Sequence, residues 1–410
     1  MASLHRINQD DLRNHNLSVV IDTLLRASLP MSRADLAEET RLTKLTMSLL
    51  VSLLIDAGIV KEGEPQNSSS YGRPSTPLVL GGGKVCGIGM QVNTDGYGCV
   101  ALDIDRGTLG GANGSTPIWT GRTRRMYSTG SMPWPGRWSV AWRAKGASSG
   151  VACALPGLVT SQRQLLTARN LGWENIDLTR FGVMRRRDAV PGNEAKMAAI
   201  AQIPGYACAR DDYLDAVDCT GSFIYLSCDI GIGGAIVRDG EVVSGSHGFA
   251  GEIGHMSVSL DGPLCGCGRR GCLEAYAGRR ALVRASGVVE GDEASSTAAL
   301  GKLLDAWHSG DRRATDAVDR AADALVSAIG SAVNLVDVDT VLLGGWWINF
   351  GQPFYGMLES RLKKQVLGAS DMRVSVSMPP VADHPALYGA AEVGLRRFID
   401  NPLGFIADKA

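Results

Sequence analysis

One short stretch past the middle of the chain carries three cysteines and one histidine, at His255, Cys265, Cys267 and Cys272. Three thiols and an imidazole suit tetrahedral zinc, and a complete set of four protein ligands leaves no open position for a reacting water. The alternative is that the cysteines are buried as small hydrophobic side chains. That alternative explains isolated cysteines, but not a C-x-C-x4-C spacing. The sequence therefore predicts one structural Zn²⁺ per chain, around which the local backbone must fold.

The same stretch reads GEIGH over residues 251–255 and CGCGRRGCLE over residues 265–274. It resembles the signature of the ROK family, named for repressors, open reading frames and kinases. The resemblance implies that the zinc is held by His255, Cys265, Cys267 and Cys272. It also implies that a sugar's hydroxyl groups are contacted by Glu252, His255 and Glu274. Carboxylates suit that role because they accept paired hydrogen bonds from neighbouring hydroxyls. The alternative is that the two glutamates are ordinary surface carboxylates.

The first eighty residues predict a separate DNA-binding domain, residues 1–80. Apolar residues at helical spacing, with Ser32 and Thr43 as N-caps, indicate helices over Leu17–Ser28, Arg33–Glu39 and Lys44–Ala57. In the third helix the side chains expected to face inward are Leu49, Leu50, Leu53 and Leu54. A tight turn before that helix and two short strands after it are typical of a winged helix-turn-helix. The repressor branch of the ROK family has a similar N-terminal layout, whereas its sugar kinases lack it.

Charge alone does not decide what this domain binds, because residues 1–80 hold eight Lys and Arg against nine Asp and Glu. The positions of the polar groups are more informative. Operator DNA is expected to be contacted by the third helix and the wing, through Arg41, Thr43, Lys44, Thr46, Ser48 and Arg73. The alternative is a helical dimerisation or protein-binding module.

The remaining residues, 81–410, alternate short apolar runs with helical segments, which predicts layered α/β structure. The ROK resemblance makes this an actin-like, two-lobed, ribonuclease H-like domain with a sugar in the cleft between its lobes. By the same resemblance Pro156-Gly157 lies beside the sugar, and Gly344-Gly345 is a turn on the nucleotide side.

Three departures from the kinase pattern argue against phosphoryl transfer. The phosphate loop DxGGT is replaced by residues 90–96, MQVNTDG, without a double glycine. Asp229 stands in a second phosphate loop, where it would repel a phosphate. The family's catalytic Asn-Asp-Ala reads Asn193-Glu194-Ala195, and the extra methylene of Glu194 displaces the carboxylate. Asn193 and Glu194 are still expected to hydrogen-bond the sugar, and the alternative function is an ATP-dependent sugar kinase with an N-terminal appendage.

Residues 107–150 do not follow the family pattern. This segment has no Asp or Glu and contains Trp119, Trp134, Trp138 and Trp142. Three interpretations remain open: a basic aromatic insertion that binds something, a disordered loop, or a stretch whose coding frame is displaced. The Arg185-Arg186-Arg187 run stands where a short apolar strand is expected.

The chain shows no signal peptide and no apolar run long enough to span a membrane, and its formal charge is −1. These features predict a cytoplasmic protein without bulk attraction to nucleic acid. Taken together, the sequence predicts a sugar-responsive transcriptional regulator, and more specifically a repressor of carbohydrate metabolism genes. Its expected partners are operator DNA and a sugar or sugar phosphate effector, with no membrane, and its expected assembly is a homodimer or homotetramer. A binding protein with neither DNA binding nor catalysis is the third possibility.

Overall fold

A computed structural model describes residues 8–64, 76–93, 96–107, 147–186, 188–209, 221–289, 294, 296–368, 370 and 373–407. Arg73 and most of residues 107–150 lie outside the described residues, so the wing contact and the interpretations of the tryptophan-rich segment stay predictions.

The N-terminal part is a three-helix unit with a small sheet. Its helices are α1 (Gln9–Arg26), α2 (Arg33–Thr40) and α3 (Lys44–Asp56). Its strands are β1 (Met31–Ser32), β2 (Val60–Glu62) and β3 (Pro77–Leu80), paired antiparallel in the order β1-β3-β2. This arrangement confirms the expected winged-helix layout, and β1 adds a third strand to the wing.

Capping explains where these helices begin. Ser32 and Thr43 cap α2 and α3 as predicted, with Thr43 Oγ1 accepting a hydrogen bond from Thr46 N at 3.2 Å. Helix α1 starts earlier than predicted, because Asn8 forms a capping box that stabilises a polar first turn without apolar periodicity. The prediction for Leu49 was wrong: it is 63% exposed, and the buried face of α3 is formed by Met47, Leu50, Val51 and Leu54.

The first lobe of the body is built on a four-stranded sheet of order β10-β6-β4-β5. Its strands are β4 (Val85–Val92), β5 (Tyr97–Asp103), β6 (Ala147–Leu155) and β10 (Val190–Asn193). A smaller antiparallel sheet lies between β6 and β10 in sequence and consists of β7 (Leu158–Val159), β8 (Gln164–Ala168) and β9 (Trp173–Asp177). The arginine run that departs from the family pattern begins inside helix α4 (Gly182–Arg186), and the expected strand follows it as β10.

The second lobe has a five-stranded sheet of order β13-β12-β11-β14-β15. Its strands are β11 (Phe223–Cys228), β12 (Ile232–Arg238), β13 (Glu241–Val242), β14 (Thr340–Gly345) and β15 (Ser375–Ser377). Helix α5 (Glu194–Ile200) precedes this lobe, and its own helices are α6 (Glu274–Ala277), α7 (Arg279–Ser286), α8 (Thr297–His308), α9 (Arg312–Val336) and α10 (Gly351–Leu362). The predicted α/β class and two-lobed arrangement are thereby confirmed.

Helix α11 (Pro385–Asp400) joins the two lobes and the winged helix, and α12 (Pro402–Ala407) follows it. Glycines let α11 approach its neighbours closely: a Cβ at Gly89 of β4 would lie 2.1 Å from Leu387 O, and one at Gly389 would lie 1.7 Å from Met197 O. The far end of α11 shares a hydrophobic core with α1, to which it contributes Leu395, Phe398 and Ile399. None of the helices in the described part of the chain combines the length and apolar character needed to cross a membrane.

Candidate functional site

A cavity of about 690 Å³ opens between the two lobes. The chain reaches it at the carboxyl ends of strands from both large sheets, which is where open α/β sheets bind ligands. The strand ends that line it belong to β4, β10, β11 and β14, and the residues there are Gln91, Asn193, Cys228 and Gly345. The zinc-type segment forms one wall.

The predicted metal ligands come together in that wall. The ligand atoms of His255, Cys265, Cys267 and Cys272 all lie within 4.8 Å of one another. Two thiolates bound at tetrahedral angles to one zinc lie about 3.8 Å apart. The Sγ atoms of Cys267 and Cys272 are 3.6 Å apart, and Cys265 Sγ is 3.8 Å from His255 Nδ1. The geometry therefore fits one tetrahedral ion, with the imidazole presenting Nδ1 to it.

Local contacts prepare this cluster for a cation. Burial raises the pKa of Cys267, but hydrogen bonds from the backbone and side chain of Arg269, together with those from the Cys265 and Cys272 thiols, outweigh burial and bring that pKa to about 6. Gly268 and Gly271 take positive φ angles of 91° and 72°, which let the loop curl around the cluster. A Cβ at Gly271 would lie 1.7 Å from Ser259 O.

Two of the predicted sugar ligands, Glu252 and Glu274, lie next to this cluster and line the cavity. Glu274 opens α6, and its Oε2 accepts a hydrogen bond from Ile232 N at 3.0 Å. That contact requires glycine at 231, where a Cβ would lie 2.1 Å from the same oxygen. Burial raises the pKa of Glu252, while the charges of His255 and Lys196 oppose that rise. His255 also lines the cavity, so a nitrogen not engaged by metal remains for a ligand.

Glu194 faces these residues from the first lobe. Its Oε1 accepts hydrogen bonds from Gln91 Nε2 and, at 3.1 Å, from Asn93 Nδ2. Gln91 is 4% exposed, and its Oε1 has no hydrogen-bond partner among the described residues. Because a buried acceptor without a partner is costly, this oxygen is suited to a ligand's O–H or N–H group.

Asn193 lines the cavity, but most of its amide is already engaged. Its Oδ1 accepts from Ala195 N and Lys196 N and so caps α5, and its Nδ2 donates to Gly157 O at 2.9 Å. One N–H remains for a ligand. The sequence analysis named Asn193 as a sugar contact but did not predict these hydrogen bonds. The bond to Gly157 O holds the Pro156-Gly157 turn beside the cleft.

The cations around the cavity are engaged by protein groups. Arg169 donates to Gly266 O, Arg269 hydrogen-bonds Cys267, and Lys196 Nζ donates to Gly248 O at 2.7 Å. Four carboxylates line the same cavity, from Glu194, Asp229, Glu252 and Glu274. The cavity wall therefore offers more hydrogen-bond acceptors than free cationic donors.

The side of the cleft expected to hold a nucleotide is lined by an acidic and an aromatic side chain, Asp229 and Trp346. Asp229 forms an ion pair of 3.2 Å with buried Arg279 and presents a carboxylate to the cavity. Gly345 is followed by Trp346, which lines the cavity and stacks on Trp347 with ring centroids 4.0 Å apart. Phosphate groups of a nucleotide would meet Asp229 with like charge.

The predicted DNA-binding residues of the described chain lie together at the start of α3. Arg41 has a φ of 57° in the turn, and Thr43 and Lys44 follow it on the exposed side. The hydroxyls are turned toward the helix itself: Thr43 Oγ1 is 2.9 Å from Thr46 Oγ1, and Ser48 Oγ donates to Lys44 O at 2.8 Å. Contact of these residues with DNA stays a prediction.

Several cavity residues were missed by sequence reasoning. Thr167, Arg169 and Asn170 reach the cavity from the end of β8 and the turn after it, and Gln91 stands where the kinase loop would begin. The only sequence signal for Arg169 and Asn170 was that two polar residues directly follow a short apolar strand. Such a pair cannot be distinguished from an ordinary surface turn.

Comparison with known proteins identifies the family. The sequence profile of the ROK family matches residues 140–396, well over half of the chain. The chain belongs to the ROK family. This membership is consistent with the cleft and the cysteine cluster that the fold brings together.

Its ROK relatives include regulators and kinases. A xylose repressor of Bacillus spizizenii (strain ATCC 23059 / NRRL B-14472 / W23) is 28% identical over 286 residues, which is 68% of this chain and 69% of that protein. A glucokinase of Thermotoga maritima (strain ATCC 43589 / DSM 3109 / JCM 10099 / NBRC 100826 / MSB8) is 30% identical over 180 residues, covering 42% of this chain and 57% of that protein.

The fold is shared over nearly the whole chain with a solved ROK regulator. The crystal structure of a ROK family transcriptional regulator, described as a homolog of the E. coli MLC protein, superposes with a TM-score of 0.71 and 22% identity. The match covers 97% of this chain and 99% of that one. It therefore includes the winged-helix unit as well as both lobes.

Proposed function

We propose that this protein is a sugar-responsive, DNA-binding transcriptional regulator that acts as a repressor. Residues 1–80 bind operator DNA, and residues 81–410 sense the sugar. The observation that carries the proposal is helix α11, because its first residues line the cleft and its last residues pack on α1 of the winged helix. The xylose repressor among the relatives supports the same function.

In this proposal the metal is structural. His255, Cys265, Cys267 and Cys272 hold one Zn²⁺, and the bound ion supplies a fixed point for the wall of the cleft rather than a reactive centre. Only Leu273 separates Cys272 from Glu274, so metal binding fixes the position of that carboxylate.

We propose that the effector is an unphosphorylated sugar. Four carboxylates line the cleft against two arginines, Arg169 and Arg269, so negative groups outnumber positive ones. A zinc ion with three thiolates adds a further net charge of about −1. A sugar phosphate would bring two negative charges into this environment, whereas the hydroxyls of a neutral sugar donate to Glu252, Glu274 and Gln91 Oε1. Repulsion therefore disfavours the phosphate ester.

The alternative function is an ATP-dependent sugar kinase, and the glucokinase among the relatives supports it. Two features favour sensing over catalysis. Glu194 Oε1 accepts hydrogen bonds from the amides of Gln91 and Asn93, so this oxygen is already engaged by protein groups. Asp229 and Trp346 line the side of the cleft expected to hold a nucleotide, where Asp229 would repel its phosphates. We expect no ATP turnover.

Coupling between the sites follows the path of α11. A sugar that binds one arrangement of the lobes more tightly shifts the population toward that arrangement. His384, Pro385 and Ala386 at the start of the helix respond to the ligand, and the ion pair of 2.6 Å between Arg396 and Asp22 transmits the change to α1. In a homodimer or homotetramer, the separation of the winged helices would change with it.

Fluorescence anisotropy tests the proposal with the full chain and labelled duplex DNA from upstream of its own gene. Xylose, glucose and their phosphate esters are added separately. The expected result is that a neutral sugar, and not its phosphate, changes the DNA affinity, and that Glu252→Gln abolishes this effect while DNA binding persists. Because a hydrogen bond to a charged group contributes about 1.5–3 kcal/mol, sugar affinity should fall by about ten-fold or more.

Glu241→Gln, an exposed carboxylate on β13, is the matched control and should respond like the wild type. The effector assignment is contradicted by a sugar phosphate that acts where the free sugar does not. Coupled ADP release with the same sugars serves as the kinase assay, and turnover above background contradicts the regulator.

A further inference from the structure

Helix α3 exposes a stripe of residues that no other described residue of the winged helix covers. Leu45 is 73% exposed and Leu49 is 63% exposed, and they stand one helical turn apart. Lys44, Ser48 and Ser52 are exposed beside them, while the opposite face packs on α1 and α2. Neither leucine contributes to the core, so both side chains are available to a partner of this helix.

The polar side chains at the start of α3 are engaged within the helix. Thr43 Oγ1 caps the helix by accepting from Thr46 N, the Thr46 hydroxyl bonds Thr43, and Ser48 Oγ donates to a backbone carbonyl. The outward groups in the first two turns are therefore the Lys44 ammonium and the two leucine side chains. This surface is better suited to apolar contacts than to hydrogen bonds with base edges.

The positive charge at the start of this stripe indicates which partner binds it. The first turn of α3 has no acidic residue, and Arg41 and Lys44 flank the start of the stripe with positive charge. A surface with cations at one end and exposed methyl groups along it complements the major groove, where phosphates line the edge and each thymine presents a 5-methyl group. A purely apolar protein partner would gain nothing from the cations.

We propose that α3 reads thymine methyl groups in the major groove through Leu45 and Leu49. The inference rests on the proposed DNA-binding function and deepens it by naming the chemical feature that is read. Arg41 and Lys44 contact phosphates and set the position of the helix. Sequence preference then arises from apolar contact at two neighbouring thymines.

Thymine replacement tests this without altering the protein. A duplex is first selected from random sequences by binding to the full-length protein, and each thymine in turn is replaced by deoxyuridine, which removes the methyl group and keeps every hydrogen-bonding atom. At one or two positions the wild type should lose about four-fold in affinity, the equivalent of one buried methyl group. Leu45→Ala and Leu49→Ala should bind the thymine duplex more weakly and become insensitive to replacement at those positions.

Leu29→Ala removes a leucine that is equally exposed but lies outside α3, and it should behave like the wild type. Equal affinity of the wild type for all thymine and deoxyuridine duplexes overturns the inference and leaves DNA binding intact. A loss of self-association in Leu45→Ala, with unchanged DNA affinity, overturns it in favour of a second copy of this chain. Absence of binding to any duplex overturns the proposed function as well.

Discussion

For each residue around the cleft, the hydrogen bonds of its individual atoms determine which atom can still bind a ligand. His255 turns Nδ1 toward the thiols, and Glu274 holds one carboxylate oxygen on a backbone N–H. The side-chain carbonyl oxygen of Asn193 caps α5 by accepting two backbone hydrogen bonds. The residue type was visible in the sequence in every case. For Glu274 and for the amide nitrogen of Asn193, the atom that remains for a ligand depends on backbone groups far away in the chain, Ile232 N and Gly157 O, so only the fold could provide that information.

Replacement of one cysteine tests the metal assignment at this scale. Cys267→Ser should lower the zinc content of protein purified without chelators, because a hydroxyl replaces one of four thiolate or imidazole ligands. It should also weaken the sugar response, since the metal fixes Glu274. Elemental analysis by mass spectrometry measures the first effect.

Cys99→Ser is the matched control, because Cys99 is a partly buried thiol on β5 outside the cluster. That variant should retain about one zinc per chain. A Cys267→Ser protein with wild-type zinc content would contradict the assignment of four protein ligands.

Secondary-structure elements were predicted well where local chemistry specifies them. Ser32 and Thr43 fix the starts of α2 and α3 through their own hydroxyls. Leu49 was misplaced because the helix has more leucines than its buried face can hold, and only tertiary packing decides which remain outside. The sheet of β7, β8 and β9 was missed because two-residue and five-residue strands show no reliable alternation.

Helix α11 carries a buried carboxyl group that makes stability depend on pH. Glu392 is 1% exposed, beside Ala207 and Cys208, and burial raises its pKa from 4.5 to about 7 despite the nearby charge of Arg106. The folded protein therefore holds the proton more tightly than the unfolded chain. The resulting stabilisation is complete below about pH 4.5 and is lost as the pH rises through 7.

Glu392→Gln should remove this dependence, because an amide cannot ionise. In urea unfolding at pH 8 the variant should be more stable than the wild type by up to about 3 kcal/mol, which corresponds to the difference of pKa at 1.36 kcal/mol per unit. At pH 5 the difference should shrink to a small residual. Glu38→Gln, at an exposed position of α2, should show neither effect. An identical stability difference at the two pH values would rule out a neutral Glu392.

At the scale of the whole molecule, the winged helix is not an independent appendage. Asn14 of α1 donates to Asp400 O at 3.3 Å and accepts from Leu403 N at 2.9 Å. Arg396 pairs with Asp22 and also donates to Tyr206 O at 2.8 Å. The sequence indicated two functional parts divided near residue 80, but it could not show that they share one hydrophobic core. That junction depends on contacts between the two ends of the chain.

In the proposed function, one protein binds a sugar and DNA, and each ligand alters the affinity for the other. Isothermal titration of the sugar into the full-length protein, with and without saturating operator duplex, measures this coupling directly. Thermodynamic linkage requires that DNA change the Kd of the sugar by the same factor by which the sugar changes the Kd of DNA, typically about 5- to 150-fold. We expect weaker sugar binding in the presence of DNA, as a repressor released by its effector requires. A sugar affinity that is identical with and without bound DNA would contradict the account.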